Sequence, residues 1–334
     1  MNPSGLLAPL TPLYALGLAL KNRRYDRNPS LAQKLDWPVV SVGNLSAGGA
    51  GKTPVVMRLA EMLREEQIAV DVLSRGYGRS STGIEPVDPE GEATRFGDEP
   101  LLIATRAGVP VYVGASRYQA GHLAEQQAAE QGVTTGVHLL DDGFQHRVLA
   151  RSLDVVVLHA SDFTESLLPT GRLREPLSAL RRASVLVLRE QDKGLSPRLD
   201  ALGLTQPRWL IRRELALPGP CKAGEPVLAF CGIARPQEFF TSLKASGTNV
   251  VAELAFADHH RWTEADLEQL LRLKAQTQAQ ALLTTEKDWI RLTTAQRASV
   301  QLVAPLLTAG LRVCFLEEKP VREQLRELVV RLPS

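Results

Sequence analysis

Cysteine is scarce in this 334-residue chain: Cys221, Cys231 and Cys314 form no C-x-x-C pair and leave an odd count. Reduced thiols in a cytosolic protein are the simplest reading of so few. Net charge is scarce too, and a balance of +2 is too small to argue for a nucleic-acid partner. The chain has no internal repeat or long low-complexity tract, and no apolar run of the roughly 20 residues needed to span a bilayer. What remains, 44% hydrophobic and 23% charged, is the composition of a soluble globular protein. The length is comfortable for two domains.

The N-terminus departs from that average. LLAPLTPLYALGLAL, from Leu6 to Leu20, carries no charge, and KNRRYDR follows at once with Lys21, Arg23, Arg24 and Arg27 against Asp26. Pro9 and Pro12 shorten the usable helix. A secretory signal would carry its cations before the apolar run rather than after it. Thr11 as N-cap and Pro12 as first helical residue would start a short apolar helix. Two readings stand: a helix lying on an anionic membrane surface, or one packed on the protein's own core.

Residues 41–54 read SVGNLSAGGAGKTP. The strict phosphate-loop pattern is G-x-x-x-x-G-K-[ST], and its opening glycine falls here at Ser46. The context compensates. WPVVSVG before it is apolar and β-branched like a buried strand, and in TPVVMRLAEMLREE after it Val55, Val56, Leu59, Met62 and Leu63 recur at helical spacing. A strand, a glycine-rich turn and a helix let backbone N–H groups curl around phosphate oxygens at a helix N-terminus. Ser46, Ala47, Gly48, Gly49, Ala50, Gly51, Lys52 and Thr53 are then the nucleotide-binding segment. Lys52 reaches the phosphates and the Thr53 hydroxyl sits on Mg²⁺. The bland alternative is a glycine-rich turn in an ordinary α/β unit.

Strand-like runs at 68–74, 109–114, 137–142, 153–159 and 184–189 alternate with helical stretches near 99–107, 116–131 and 176–182. This pattern predicts a phosphate-loop-type parallel sheet covered on both faces, with sites at the carboxyl ends of its strands. LPGPCKAGEP (217–226) breaks the chain. Beyond it, strands at 226–233, 249–256 and 281–285 and helices from Pro236 and Thr263 predict a second, smaller α/β unit. RWLIRREL (208–215) and LRVCFLEE (311–318) could form a two-stranded connection. The expected division is 1–210, 220–310, and 311–334 as a returning strand and terminal helix.

Three charged stretches could carry chemistry. Asp141 and Asp142 end the apolar strand of VHLLDDGFQHR, where a carboxylate holds Mg²⁺ directly or through water, although a strand-terminating turn would look the same. His146 and Arg147 follow as a pair with a solvated alternative. Asp98 and Glu99 in RFGDEPLLIA either answer a helix dipole or place a general base beside a Mg²⁺ ligand. Asp258, His259 and His260 in FADHHRWT lack a third ligand at zinc spacing, so a base paired with a first-domain carboxylate is the better use. Arg75, Arg79, Arg117, Arg172 and Arg174 add cations near strand ends. No N-K-x-D segment reads guanine, since TEKD at 285–288 has its lysine one place late. The extra lysine of membrane-cycling ATPases is Ala47 here. A kinase is therefore favoured over a switch ATPase or metal-delivery factor.

Taken in order, SVGNLSAGGAGKTP, SRGYGR, FGDEP, DDGFQHR, LPTGRLREP, GIARPQEFF, FADHHRWT and TTEKD closely resemble the tetraacyldisaccharide 4′-kinases, the lipid A 4′-kinases of Gram-negative bacteria. The resemblance covers nearly the whole chain; Trp262 and Ala234 are minor departures, and Ser46 agrees with that family's own loop. It implies ATP- and Mg²⁺-dependent phosphorylation of the 4′-hydroxyl of a tetraacylated glucosamine disaccharide 1-phosphate, a lipid A precursor. It implies two α/β domains on a two-stranded linker with the active site between them. The N-terminal helix would meet the lipid, peripherally, at the cytoplasmic face of the inner membrane. Carried over, Asp98 is the base and His259 its partner across the cleft, with Lys52 on the phosphates. Thr53, Glu99, Asp141 and Asp142 are candidates for the Mg²⁺ shell, and Arg117, Glu175 and His146 are further site candidates.

Overall fold

The computed structural model describes residues 9–48, 51–217 and 224–330. Its twelve strands are β1 (Val39–Gly43), β2 (Val70–Ser74), β3 (Glu85–Pro86), β4 (Val111–Val113), β5 (Val137–Asp141), β6 (Leu153–Val157), β7 (Val185–Arg189), β8 (Arg208–Ala216), β9 (Val227–Cys231), β10 (Val250–Ala255), β11 (Ala281–Thr285) and β12 (Leu306–Phe315). They form one sheet in the order β10-β9-β11-β12-β8-β7-β6-β1-β5-β2-β4-β3. From β8 to β4 every pairing is parallel, as is every pairing from β10 to β12. The mixed α/β fold thus has a large parallel-sheet unit and a smaller one.

The two units meet at β8 and β12. Arg208–Ile211 of β8 run parallel to β7, whereas Ile211–Ala216 pair antiparallel with Phe315–Gly310 of β12. The first residues of β12, Leu306–Ala309, pair with β11 instead. This overturns the expected start of that strand at 311. LLTA is apolar enough to complete the second sheet before the chain crosses at Gly310.

β1, β2, β5 and β6 are buried from end to end, as parallel strands covered on both faces must be. On one face the Lys52–Glu65 helix buries Val55, Val56, Leu59, Met62 and Leu63, the stripe its sequence spacing gives. The same core takes in Val313 and Phe315 of β12 and Val321 and Leu325 of the terminal Glu318–Val330 helix. The second unit has its own apolar clusters, one around Phe230, Trp262 and Leu270, the other around Phe239 and Phe240. Thr263 and Asp266 form the expected capping box of the Glu264–Thr277 helix.

Three local expectations change. The N-terminal helix runs from Leu10 to Arg27 with Pro9 at its N-cap, so Thr11 lies inside it and bonds Thr170 (3.0 Å) instead of capping. The stretch at 176–182 forms a 3₁₀ helix, Leu177–Arg182, two tight turns leading into β7. The helices Glu286–Arg291 and Thr294–Gln301 carry too short an apolar pattern to be expected from sequence. Leu6 to Ala8, Gly49, Ala50 and Cys221 lie outside the described residues.

Candidate active site between the two units

The carboxyl ends of the parallel strands open into one cleft of about 1660 Å³ between the two units. Its lining includes Ala47, Gly48, Gly51, Lys52, Thr53, Asp98, Glu99, Arg117, Asp141, Asp142, His146 and His259. Gly51 occupies the N-cap of the Lys52–Glu65 helix at φ +74° and Gly48 sits at φ +83°, so the loop needs glycine there. Ser46 and Thr53 are buried. Loop residues receive backbone support from LPTGRLREP: the Ala47 N–H donates to the Arg172 carbonyl (2.7 Å), and the Arg172 guanidinium donates back to the Ala47 carbonyl (3.0 Å).

Lys52 Nζ lies 3.0 Å from Asn44 Oδ1 and 3.3 Å from Asp142 Oδ1. Arg174 grips both oxygens of Asp142 at 2.8 Å. Burial opposes ionisation of Asp142, but Arg174 and Lys52 hold its carboxyl well below the usual carboxylate range. Its neighbour Asp141 differs. It is fully buried, and its Oδ1 has no hydrogen-bond partner among the described residues. Burial, then the charges of Glu99 and Asp142, push its carboxyl above the ordinary range. A cation would remove that penalty. Among the described residues no three His, Cys, Asp or Glu side chains converge on one point.

Asp98 and His259 come together across the cleft. His259 Nδ1 lies 3.0 Å from Asp98 Oδ2, at the start of the Asp98–Ala107 helix. Arg291, which sequence reading missed, donates to the same oxygen from Nε (2.9 Å) and Nη2 (2.6 Å). It is anchored by the Gly232 carbonyl (2.6 Å) and Asp288 (3.1 Å). Burial alone would raise the Asp98 carboxyl; the hydrogen bond from His259 and the charge of Arg291 hold it well below the usual range. That hydrogen bond in turn raises the His259 imidazole. His259 adopts φ +58°, with its N–H capped by Asp258, while His260 turns away to bond Asp266 and stack on Phe256. One histidine of the pair therefore faces the cleft and the other holds a loop to the second core. Glu99 is ion-paired to Lys287 at 2.6 Å, so this candidate Mg²⁺ ligand already has a partner.

A third group lies under the N-terminal helix. Buried Glu175 binds Arg182 (2.8 Å) and Asn22 (3.1 Å). Arg117 is buried, and burial and Arg75 lower it to about 10. His146 is pushed down to about 4 by burial and Arg117, and so is neutral. Arg79 bonds Ser81 and the Gly83 carbonyl, on its own loop.

The family model for tetraacyldisaccharide-1-P 4′-kinase (LpxK) matches residues 4–330. The chain belongs to this kinase family. It is 45% identical to the tetraacyldisaccharide 4′-kinase of Koribacter versatilis, covering 97% of this chain and 98% of that one. It is 38% identical to the same enzyme of Rhodospirillum rubrum, with 98% and 96% covered. Among solved structures it is similar to LpxK from Aquifex aeolicus, crystallised with ATP, at 31% identity and a TM-score of 0.78 over 98% of this chain and 99% of that one. The family's substrate name calls for a phosphate donor site and a sugar hydroxyl site, and the cleft brings a phosphate loop opposite an acid–imidazole pair.

Proposed function

We infer that this cleft transfers the γ-phosphoryl group of ATP to the 4′-hydroxyl of a tetraacylated disaccharide 1-phosphate. The observation that carries the reading is the placement of Lys52 and Asp142 from one unit and the Asp98–His259 pair, shared between units, around one cavity. Residues 46–53 cradle the triphosphate, with Lys52 countering its charge. The acceptor oxygen bonds to phosphorus as the bridge to ADP breaks, and its proton passes to Asp98. An aspartate with so low a pKa suits a loose transition state, in which the hydroxyl is oriented first and deprotonated late. His259 keeps that carboxylate aimed and shares its charge.

Mg²⁺ fits beside Asp141, a carboxylate with a spare buried oxygen, and beside the buried Thr53 hydroxyl; Asp142 and Glu99 line the same cleft. Bound there, it would neutralise charge developing on the phosphates. Arg117 and His146 line the cleft where the acceptor would enter, whereas Glu175 lies buried behind it and holds Asn22 of the N-terminal helix. No helix among the described residues is long and apolar enough to cross a membrane. No residue of the Leu10–Arg27 helix is buried, and Leu13, Leu16 and Leu20 face outward. With Lys21, Arg23, Arg24 and Arg27 beside them, these leucines favour a peripheral seat on an anionic leaflet over packing in the protein's core. Lys52→Ala tests the reading. It is expected to cut lipid phosphorylation by orders of magnitude in a protein that remains folded, and near-normal turnover would remove the kinase assignment.

A further inference from the structure

We propose that Arg291 is a positioning residue for phosphoryl transfer, which fixes Asp98 and His259 in one arrangement and aims one oxygen of the aspartate at the acceptor hydroxyl. This rests on the kinase reading and gives a task to the TTEKD stretch, which that reading leaves without one. Three loops of the smaller unit converge here. Gly232 follows β9, His259 follows β10, and the Glu286–Arg291 helix follows β11. These strands are parallel, so the three loops open at the same end of the sheet. Thr285 caps the helix, and its hydroxyl donates to Asp288 Oδ2 at 2.7 Å. The same oxygen of buried Asp288 accepts the Gly232 N–H at 3.1 Å, while Oδ1 accepts from Nη1 of Arg291 at 3.1 Å. The Gly232 carbonyl then accepts twice, from Nη1 of Arg291 at 2.6 Å and from the His259 N–H at 3.2 Å. A Cβ built on Gly232 would fall 2.9 Å from Cβ of His260 and 3.2 Å from Asp288 Oδ1, so the loops approach too closely for a side chain there.

The consequence is directional. Nε and Nη2 of Arg291 both donate to Oδ2 of Asp98, at 2.9 and 2.6 Å, and His259 Nδ1 meets that same oxygen at 3.0 Å. None of these three contacts goes to Oδ1. Two N–H donors of one rigid guanidinium on a single oxygen resist rotation of the carboxylate, so its other oxygen keeps one heading. Asp98 lines the cleft, whereas only 7% of the Arg291 side chain is exposed, so the arginine acts through Asp98 rather than on the substrate. It also joins carboxylates of the two units, Asp98 and Asp288, and so offsets the cost of burying Asp98 as an anion. One side chain therefore seats both members of the acid–imidazole pair, the aspartate by its side chain and the histidine through the Gly232 carbonyl they share.

The test uses the full-length protein with Arg291→Gln and Arg291→Lys, each in the wild-type and Asp98→Asn backgrounds. Turnover onto tetraacyldisaccharide 1-phosphate is counted per ATP-binding site, so that unfolded protein does not enter the rate. Arg291→Gln is expected to lower kcat about 100-fold, the cost of a catalytic group out of place, with KM for ATP within about twofold of wild type. Arg291→Lys keeps the charge without the fork and is expected to restore the rate to about a tenth of wild type. On top of Asp98→Asn, either change is expected to cost less than about threefold, because the carboxylate to be aimed is already gone. If Arg291→Gln does not fold, the lysine variant carries the same comparison. A kcat within about twofold of wild type in these variants, or the same fold-loss in both backgrounds, would overturn the positioning role and leave the kinase reading standing. A wild-type protein that puts no phosphate on the lipid would overturn both.

Discussion

Asp98 illustrates how much one carboxylate depends on a neighbour distant in sequence. Its local context, an acid at a helix start, is that of any residue answering a helix dipole. Only the second unit turns it into a candidate base, by bringing His259 and Arg291 onto one oxygen. If Asp98 and His259 act as a unit, removing either disables the other, and their effects will not add. Asp98→Ala and His259→Ala are each expected to cut kcat strongly with ATP binding kept, and the double variant to be little worse than the poorer single one. Additivity within about 0.5 kcal/mol would show the two acting independently.

A second buried cluster gives a prediction about stability. His138 on β5 holds Asp71 at 2.8 Å and Glu125 at 3.2 Å, under the stacked ring of Trp37. Burial disfavours the imidazolium, but the two acids outweigh it and raise His138 from 6.5 to about 9. A histidine with a raised folded pKa contributes stability fully present below about pH 6.5 and lost as pH rises through about 9. Tm of the wild type should therefore fall between pH 7 and 9.5, and His138→Gln should flatten that slope. An equally steep fall in the variant would assign it to other groups. Residue identity alone could not foresee this cluster, because Asp71 and His138 meet only through the β2–β5 register.

The elements were largely legible. Buried parallel strands announce themselves as apolar β-branched runs, and the strand–turn–helix around Lys52 follows from its motif and spacing. What escaped sequence reading was contact between elements: the extent of β12, the short helix bearing Lys287 and Arg291, and the docking of the N-terminal helix. That helix is tied down by its polar side. The Tyr14 hydroxyl donates to the Arg174 carbonyl at 2.9 Å, Asn22 to Glu175, and Lys21 to the Gln145 carbonyl at 3.2 Å. Each partner lies on a loop that also lines the cleft or braces Asp142, so the outward leucines and the site share one support. Deleting residues 1–20 should weaken binding to anionic liposomes, and added salt should weaken binding of the intact protein. An intact protein that ignores such liposomes would contradict the peripheral reading.

At the scale of the whole molecule, the two units face each other through a row of ion pairs between the Asp98–Ala107 and Glu286–Arg291 helices. Asp98 meets Arg291, Glu99 meets Lys287 at 2.6 Å, and Arg106 meets Glu286 at 2.6 Å. In the last pair Arg106 is exposed and Glu286 largely buried, so solvent screens the attraction from one side only. The inner two use the carboxylates assigned to chemistry, so the contact between the units and the arrangement of the site rest on the same side chains. A kinase built this way must leave the phosphoryl group on a lipid hydroxyl. The direct measurement is incubation of the purified full-length protein with Mg²⁺, γ-labelled ATP and tetraacyldisaccharide 1-phosphate in mixed micelles, with extraction of the lipid. Label is expected on the disaccharide at its 4′ position, and only when the acceptor is present. Label released as inorganic phosphate at the same rate with or without the lipid would contradict the account.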